Sequence, residues 1–345
     1  MKHTRLAMAG MALVAIWAVP ALGVGYSEMI SWATLNSPPP GNSTQNYGFT
    51  MDGTTAYEQL ATGLGSRIVK VTGVGGTQVA TELVSQIAWS IAAGNTTLAS
   101  FYGFGQSGAY LQFTDTATDG VWRVNKSTGA VSSYVSNFQI QAYTGKTTNA
   151  CLTPTTVAPD GEHTFYDSTS TTILKTTGPG TLTTVVTAAQ LGTNTPSGGL
   201  GYDAGGNLYF GSNTSDSVYK RSAGGVFSTA LTTAQITAVT GAATAGFGAF
   251  GEHTDAYGYV YFSETVSGGI MRFHPANPAG TLQTKITSAN RLAGPAASSA
   301  VYEIDIYNSG LTWNVNGLKG VYTIPEPASL ALLGLGGLAL IRRQR

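Results

Sequence analysis

Asp203-Ala-Gly-Gly-Asn-Leu-Tyr-Phe210 couples a polar turn to an apolar, aromatic run, the pattern of a strand leaving a tight hairpin. The same pattern stands at Asp160-Gly-Glu-His-Thr-Phe-Tyr166 and at Asp255-Ala-Tyr-Gly-Tyr-Val-Tyr261-Phe262. Downstream of each comes a short apolar run ending in a basic residue: Ile173-Leu174-Lys175, Val218-Tyr219-Lys220 and Ile270-Met271-Arg272. A Gly turn follows, at Gly180, Gly225 and Gly280, and then another β-prone run such as Thr181-Leu182-Thr183-Thr184-Val185-Val186. Upstream, Ile68-Val69-Lys70 before Gly75-Gly76 and Val121-Trp122-Arg123 before Gly129 repeat the second half of the pattern. Leu318-Lys319 reads as a degraded last copy. The basic residue thus recurs at 70, 123, 175, 220, 272 and 319, at intervals of 53, 52, 45, 52 and 47.

A period near fifty residues, made of short β runs and Gly turns, matches a propeller blade of about four strands. Stacking blades around an axis buries both faces of each small sheet and leaves only short edges. Six copies predict an all-β chain, a six-bladed β-propeller over residues 47–322. Gly and Thr clusters interrupt every window in which apolar residues could repeat at helical spacing. The competing architectures are a β-sandwich and a β-helix, and the fifty-residue period argues against the short rungs of a β-helix. Residues 26–46, with Ser37-Pro38-Pro39-Pro40-Gly41, read as a lead-in loop or ring-closing segment. The Asp-x-x-Gly-Asn-Leu-Tyr-Phe stretch resembles the NHL and gluconolactonase-like propellers. That resemblance implies the same architecture, and, for gluconolactonase-type enzymes, a central divalent ion held by acidic and amide side chains. No residue of this chain carries over to that site.

The two ends differ in kind from the middle. Lys2 and Arg5, an apolar run from Leu6 to Val19, and Pro20-Ala21-Leu22-Gly23 compose a secretory signal over residues 1–25. An uncleaved anchor helix is the competing reading. At the far end, Pro325, Glu326 and Pro327 precede fourteen uncharged residues, 328–341, and Arg342, Arg343 and Arg345 finish the chain. This tripartite arrangement over 324–345 resembles the PEP-CTERM sorting signal. The resemblance implies export to the cell envelope or beyond, anchoring before processing, and an exosortase-type membrane protease-transpeptidase as partner. Fourteen helical residues span ~21 Å against a ~30 Å hydrocarbon core, a marginal transmembrane helix that thinning and arginine snorkelling would accommodate. Positive charge after the span holds the C-terminus in the cytoplasm. A plain C-terminal anchor is the alternative.

Composition narrows the partners. Charged residues are only 10%, against ~25% in ordinary globular chains. Five of the 17 basic residues and one acidic residue, Glu326, sit in the two ends, so the middle carries 12 basic against 16 acidic ones, a net charge of about −4. Such a surface does not attract phosphate backbones, which excludes a nucleic-acid function. The single cysteine, Cys151, cannot form an intrachain disulfide and reads as a small buried side chain.

Candidate chemistry is sparse. Asp160, Asp203 and Asp255 recur with the repeat, and a ring of aspartates at one end of successive blades could bind a divalent cation. The alternative is structural: Asp before a Gly-rich turn accepts backbone N–H bonds and sets the hairpin. Gly-Glu-His-Thr occurs twice, placing Glu162, His163, Glu252 and His253 as possible ligands. Their offsets from the repeat differ, so solvated turn residues are the better account. Neither Gly-x-Ser-x-Gly, His-Glu-x-x-His, a phosphate loop nor a Cys pair is present. Asn-x-Ser/Thr at Asn42, Asn95, Asn125 and Asn213 is ordinary for a Thr-rich chain. The expectation is a non-enzymatic surface or matrix protein that binds exopolysaccharide or another protein, without a cofactor. The alternative is a metal-dependent lactonase or lyase working in the axial channel.

Overall fold

In the computed structural model, described for residues 27–39, 43–62, 65–94, 101–148, 152–251, 253–293, 301–307, 310–315 and 321–324, six four-stranded antiparallel sheets form the blades of a propeller. Blade 1 comprises Ser43–Asp52, Thr55–Thr62, Gly65–Thr72 and Val79–Val84, and blade 2 Phe101–Ser107, Tyr110–Asp115, Gly120–Asn125 and Val131–Val135. Blade 3 comprises Leu152–Val157, His163–Asp167, Thr172–Gly178 and Thr181–Val186, and blade 4 Ser197–Tyr202, Leu208–Ser212, Ser217–Arg221 and Phe227–Leu231. Blade 5 comprises Phe247–Phe250, Val260–Glu264, Gly269–Phe273 and Gln283–Ile286. Blade 6 takes Val301–Tyr307, Gly310–Val315 and Val321–Ile324 from the C-terminal side, and its outer strand, Ser27–Ile30, from the N-terminal side.

That last pairing closes the ring. Ser27 lies opposite Thr323, Glu28 opposite Tyr322 and Ile30 opposite Val321. Residues 26–46 therefore contain a strand, the short helix Trp32–Leu35 and the start of blade 1. The segment 1–25 read as a secretory signal, the tail 325–345, Cys151 and Lys319 lie outside the described residues. Among those described, no helix is long and apolar enough to cross a membrane.

The core is divided among the blade interfaces, because each sheet has two apolar faces to cover. Between blades 3 and 4, for example, Tyr166, Ile173 and Val186 pack with Leu200, Leu208 and Phe210. Between blades 4 and 5, Tyr209, Val218 and Ile236 pack with Phe250, Phe262 and Phe273. The inner strands of blades 4 and 5 approach so closely that Gly199 is obligatory: a Cβ there would sit 2.4 Å from the Phe250 backbone nitrogen.

Short helices occupy the connections from each outer strand to the next inner strand, a feature the broken apolar spacing concealed. Ser31, Ser85, Ser136, Thr187 and Thr232 cap Trp32–Leu35, Gln86–Ala93, Asn137–Thr144, Ala188–Leu191 and Thr233–Thr240. In three of them Gln139, Gln190 or Gln235 returns a bond to the cap residue's N–H, completing a capping box. Four residues after each cap, Leu35, Trp89, Ile140, Leu191 or Ile236 is buried between blades. Blade 5 repeats the device with Thr287 and the buried Arg291, whose Nε donates to the Gly268 carbonyl at 3.0 Å. One buried residue per helix leaves no amphipathic stripe, so the period was invisible while the caps were local and readable.

Candidate functional site

Strand direction sorts the loops into two ends. Hairpins joining inner to second strands, and turns joining third to outer strands, gather at one end; the remaining hairpins and the capped helices gather at the other. At the first end lie the three aspartates picked out by spacing. Asp203 accepts from the backbone N–H of Gly205 and Asn207, both at 2.9 Å, from Asn207 Nδ2 at 2.7 Å and from the Tyr209 hydroxyl at 3.0 Å. Asp255 does the same with the N–H of Tyr257 and Tyr259 and with the Tyr261 hydroxyl at 2.7 Å. Burial and the neighbouring aspartate hold both tyrosine hydroxyls protonated, well above the usual range.

Asp160 belongs to a different position. Lys175 pairs with Thr164, whereas Lys220 pairs with Tyr209 and Arg272 with Tyr261. The backbone ring that Asp203 closes with Asn207, and Asp255 with Tyr259, is closed in blade 3 by Ala158 with Glu162. Gapless spacing is thus two residues out of register here, and Asp160 instead pairs with Lys175 at 2.6 Å on the exposed side. A second register correction concerns Lys319. The outward bulge that follows the first residue of each apolar run aligns Val321-Tyr322-Thr323 with Val218-Tyr219-Lys220. Thr323 therefore fills the repeat's basic position in blade 6. Four of the repeat's cations lie over an aromatic ring: Lys70 is 5.9 Å from the Tyr57 centroid, Arg123 3.3 Å from that of Tyr134, Lys220 5.8 Å from that of Tyr209 and Arg272 4.2 Å from that of Tyr259.

The two histidines of the duplicated tetrapeptide do not meet. His163 is fully buried in the second strand of blade 3, its Nε2 2.9 Å from Thr155 Oγ1. Burial, and then the Arg123 charge, push its pKa down to about 3. His253 is exposed in a loop of blade 5, and Glu252 lies outside the described residues. Glu162 accepts from the Tyr134 hydroxyl at 3.0 Å and from Thr176. Among the described residues, no three His, Cys, Asp or Glu side chains gather in a way that could hold a metal ion. The divalent ion implied by the gluconolactonase resemblance finds no fitting donor set there.

Two clefts flank the outer strand of blade 3 and share Thr184. One, of about 250 Å³ at the hairpin end, is lined by Lys175, Thr183, Thr184, Tyr202, Gly206 and Arg221. Tyr202 shares a 3.1 Å hydrogen bond with Thr164, and burial pushes its pKa up to about 12, so it presents a neutral phenol. The other, of about 330 Å³, is lined by Tyr143, Thr144, Lys146, Ser170, Thr172 and Thr184. Cations, hydroxyls and an exposed tyrosine face can bind an anionic, hydroxyl-rich ligand. Sequence reasoning missed both clefts, because their residues come from blades 3 and 4 and from the connection between blades 2 and 3, far apart in sequence.

The blade count, sheet order and ring closure define a six-bladed β-propeller. Residues 323–345 match the PEP-CTERM protein-sorting motif. Comparison with curated proteins finds no matching sequence. Solved structures share the fold. A catalytically inactive virginiamycin B lyase from Staphylococcus aureus is 14% identical over 84% of this chain and 81% of its own, with a TM-score of 0.53. A putative gluconolactonase is 14% identical over 88% and 92%, with a TM-score of 0.54. A chain of the nidogen/laminin complex is 13% identical over 79% and 85%, with a TM-score of 0.51. At such identities the likeness is one of fold alone.

Proposed function

We propose that this protein is an exported propeller, sorted through its C-terminal signal by an exosortase-type enzyme, that binds acidic polysaccharide outside the cell without catalysing a reaction. The observation that carries the sorting half is the PEP-CTERM match at 323–345, which begins inside the last strand of the propeller. For the binding half, support comes from the paired clefts: Arg221, with Lys175 held against Asp160, stands beside threonine and tyrosine hydroxyls on an otherwise weakly acidic domain. Carboxylate-bearing sugars satisfy both charge and hydroxyl content. A lactonase or lyase reading draws on fold likeness only, and the described residues offer it no metal donor set.

Intact mass and fractionation in the native host test the sorting. Loss of mass beyond Pro325–Pro327, with protein in the outer layer or matrix, is the expected result; an intact tail in the inner membrane overturns it. Affinity electrophoresis tests the binding. A uronic-acid polysaccharide in the gel should retard the propeller, and the Lys175→Ala, Arg221→Ala double variant should migrate freely. Equal retardation of both chains would remove the cleft from consideration.

A further inference from the structure

The ring-closing sheet also decides how the molecule stands on a membrane. Val321–Ile324, where the sorting motif begins, runs toward the hairpin end and stops there. Its antiparallel neighbour Ser27–Ile30 starts at that same end, with Ser27 opposite Thr323. Both routes off the propeller, toward residue 26 and toward residue 325, therefore leave from one corner of blade 6.

We propose that, while the tail is retained, the propeller sits with its hairpin end against the bilayer and its helix-bearing end turned outward. This rests on the reading of residues 328–341 as a membrane segment. Only Pro325, Glu326 and Pro327 separate the last strand from Ala328. At full extension that link spans about 14 Å. Seating the opposite end on the membrane would require the link to run back along a blade. A five-residue strand is already about 17 Å tall, without its loops.

The geometry also settles the direction of an apolar surface. Ile87 and Ile91, on Gln86–Ala93, are 71% and 77% exposed, and Phe138, on Asn137–Thr144, is 78% exposed. Exposed apolar side chains on short surface helices would by themselves suggest insertion into a bilayer. The tether places them on the far side, facing the exterior.

Single-cysteine labelling of the full chain tests this, with Cys151→Ser removing the native thiol. Thr54→Cys and Ala279→Cys place probes on exposed connections of blades 1 and 5, which flank blade 6 at the hairpin end; the second lies on the short helix Pro278–Thr281. Ser168→Cys and Thr214→Cys place them on exposed hairpins at the other end. Each is labelled with a membrane-impermeant polyethylene glycol maleimide, in membrane vesicles and as a soluble chain ending at Ile324. Labelling in vesicles should slow at least fivefold at Thr54 and Ala279, and stay within twofold at Ser168 and Thr214. Slowing at Ser168 and Thr214, or at no position, in a chain that sediments with membranes would overturn the orientation and leave the membrane reading standing. A full-length chain that fails to sediment with membranes would overturn both.

Discussion

Lowering the pH from about 7 to about 4.5 should cost the fold roughly 2 to 3 kcal/mol through His163 alone. The imidazole is fully buried, takes a single 2.9 Å hydrogen bond from Nε2 to Thr155 and lies against Phe165, with ring centroids 6.3 Å apart. Burial first and the Arg123 guanidinium second oppose a positive charge there, so the folded-state pKa falls to about 3. In the unfolded chain it is ~6.5. Below that value the unfolded chain takes up a proton that the folded chain refuses. The contribution is therefore fully present above ~6.5 and is lost at about 1.4 kcal/mol per pH unit as the pH falls toward 3. Carboxylates titrate over the same interval, so a comparison isolates the histidine. Urea unfolding of residues 26–324 at both pH values, with and without His163→Gln, gives the difference directly. Gln keeps a hydrogen-bonding group near Thr155 and carries no charge. The substitution will itself destabilise the fold at pH 7; the prediction concerns the change with pH. Wild type should lose about 2 to 3 kcal/mol more than the variant. Parallel losses in the two chains would refute the argument that His163 stays neutral in the fold.

The other predictions follow from single contacts. Asp119 is nearly buried, has φ +46°, and is pushed up to about 6 by burial and by Asp115 and Asp167. A raised carboxyl pKa adds stability at low pH that is lost as pH rises from ~4 through 6, so Asp119→Asn should stabilise the fold by about 1 to 3 kcal/mol at pH 7. That advantage should vanish in unfolding curves below pH 4. Asp255→Ala removes the carboxylate that accepts from two backbone N–H groups and the Tyr261 hydroxyl and that faces Arg272 at 3.6 Å, and should cost about 2 to 4 kcal/mol. If the role is structural, millimolar calcium will not raise the wild-type Tm; a calcium-dependent rise would point to a cation site instead. Ile236→Ala empties a fully buried position between blades 4 and 5 and should cost about 2 to 5 kcal/mol in urea unfolding. Gly199→Ala forces a Cβ into the Phe250 backbone and should lower Tm more than the same change at the open Gly241. Equal shifts would contradict the close approach of the inner strands.

Local chemistry made much of the architecture legible. Alternating apolar and polar runs, Gly turns and a recurring basic residue express one blade at a time, and five of the six blades are contiguous stretches of chain. The C-terminal sorting motif is likewise contiguous, so composition and order alone reveal it. Capping pairs such as Ser136 with Gln139 and Thr232 with Gln235 were equally local, yet a test built on helical periodicity passes over helices of four to eight residues.

Register and closure were decided by the tertiary structure. Asp160 and Asp203 look alike in spacing, but cross-strand pairing of Lys175 with Thr164 puts Ala158 in the repeat's aspartate position. Lys319 looks like a sixth basic residue, but pairing of Thr323 with Ser27 puts the repeat position four residues later. Which strand completes blade 6 depends on a partner from the opposite end of the chain, and no local pattern encodes that. The clefts beside Thr184 arise the same way. Sequence spacing specifies what each segment can form, while hydrogen-bond ladders and packing between distant segments decide which residues face one another.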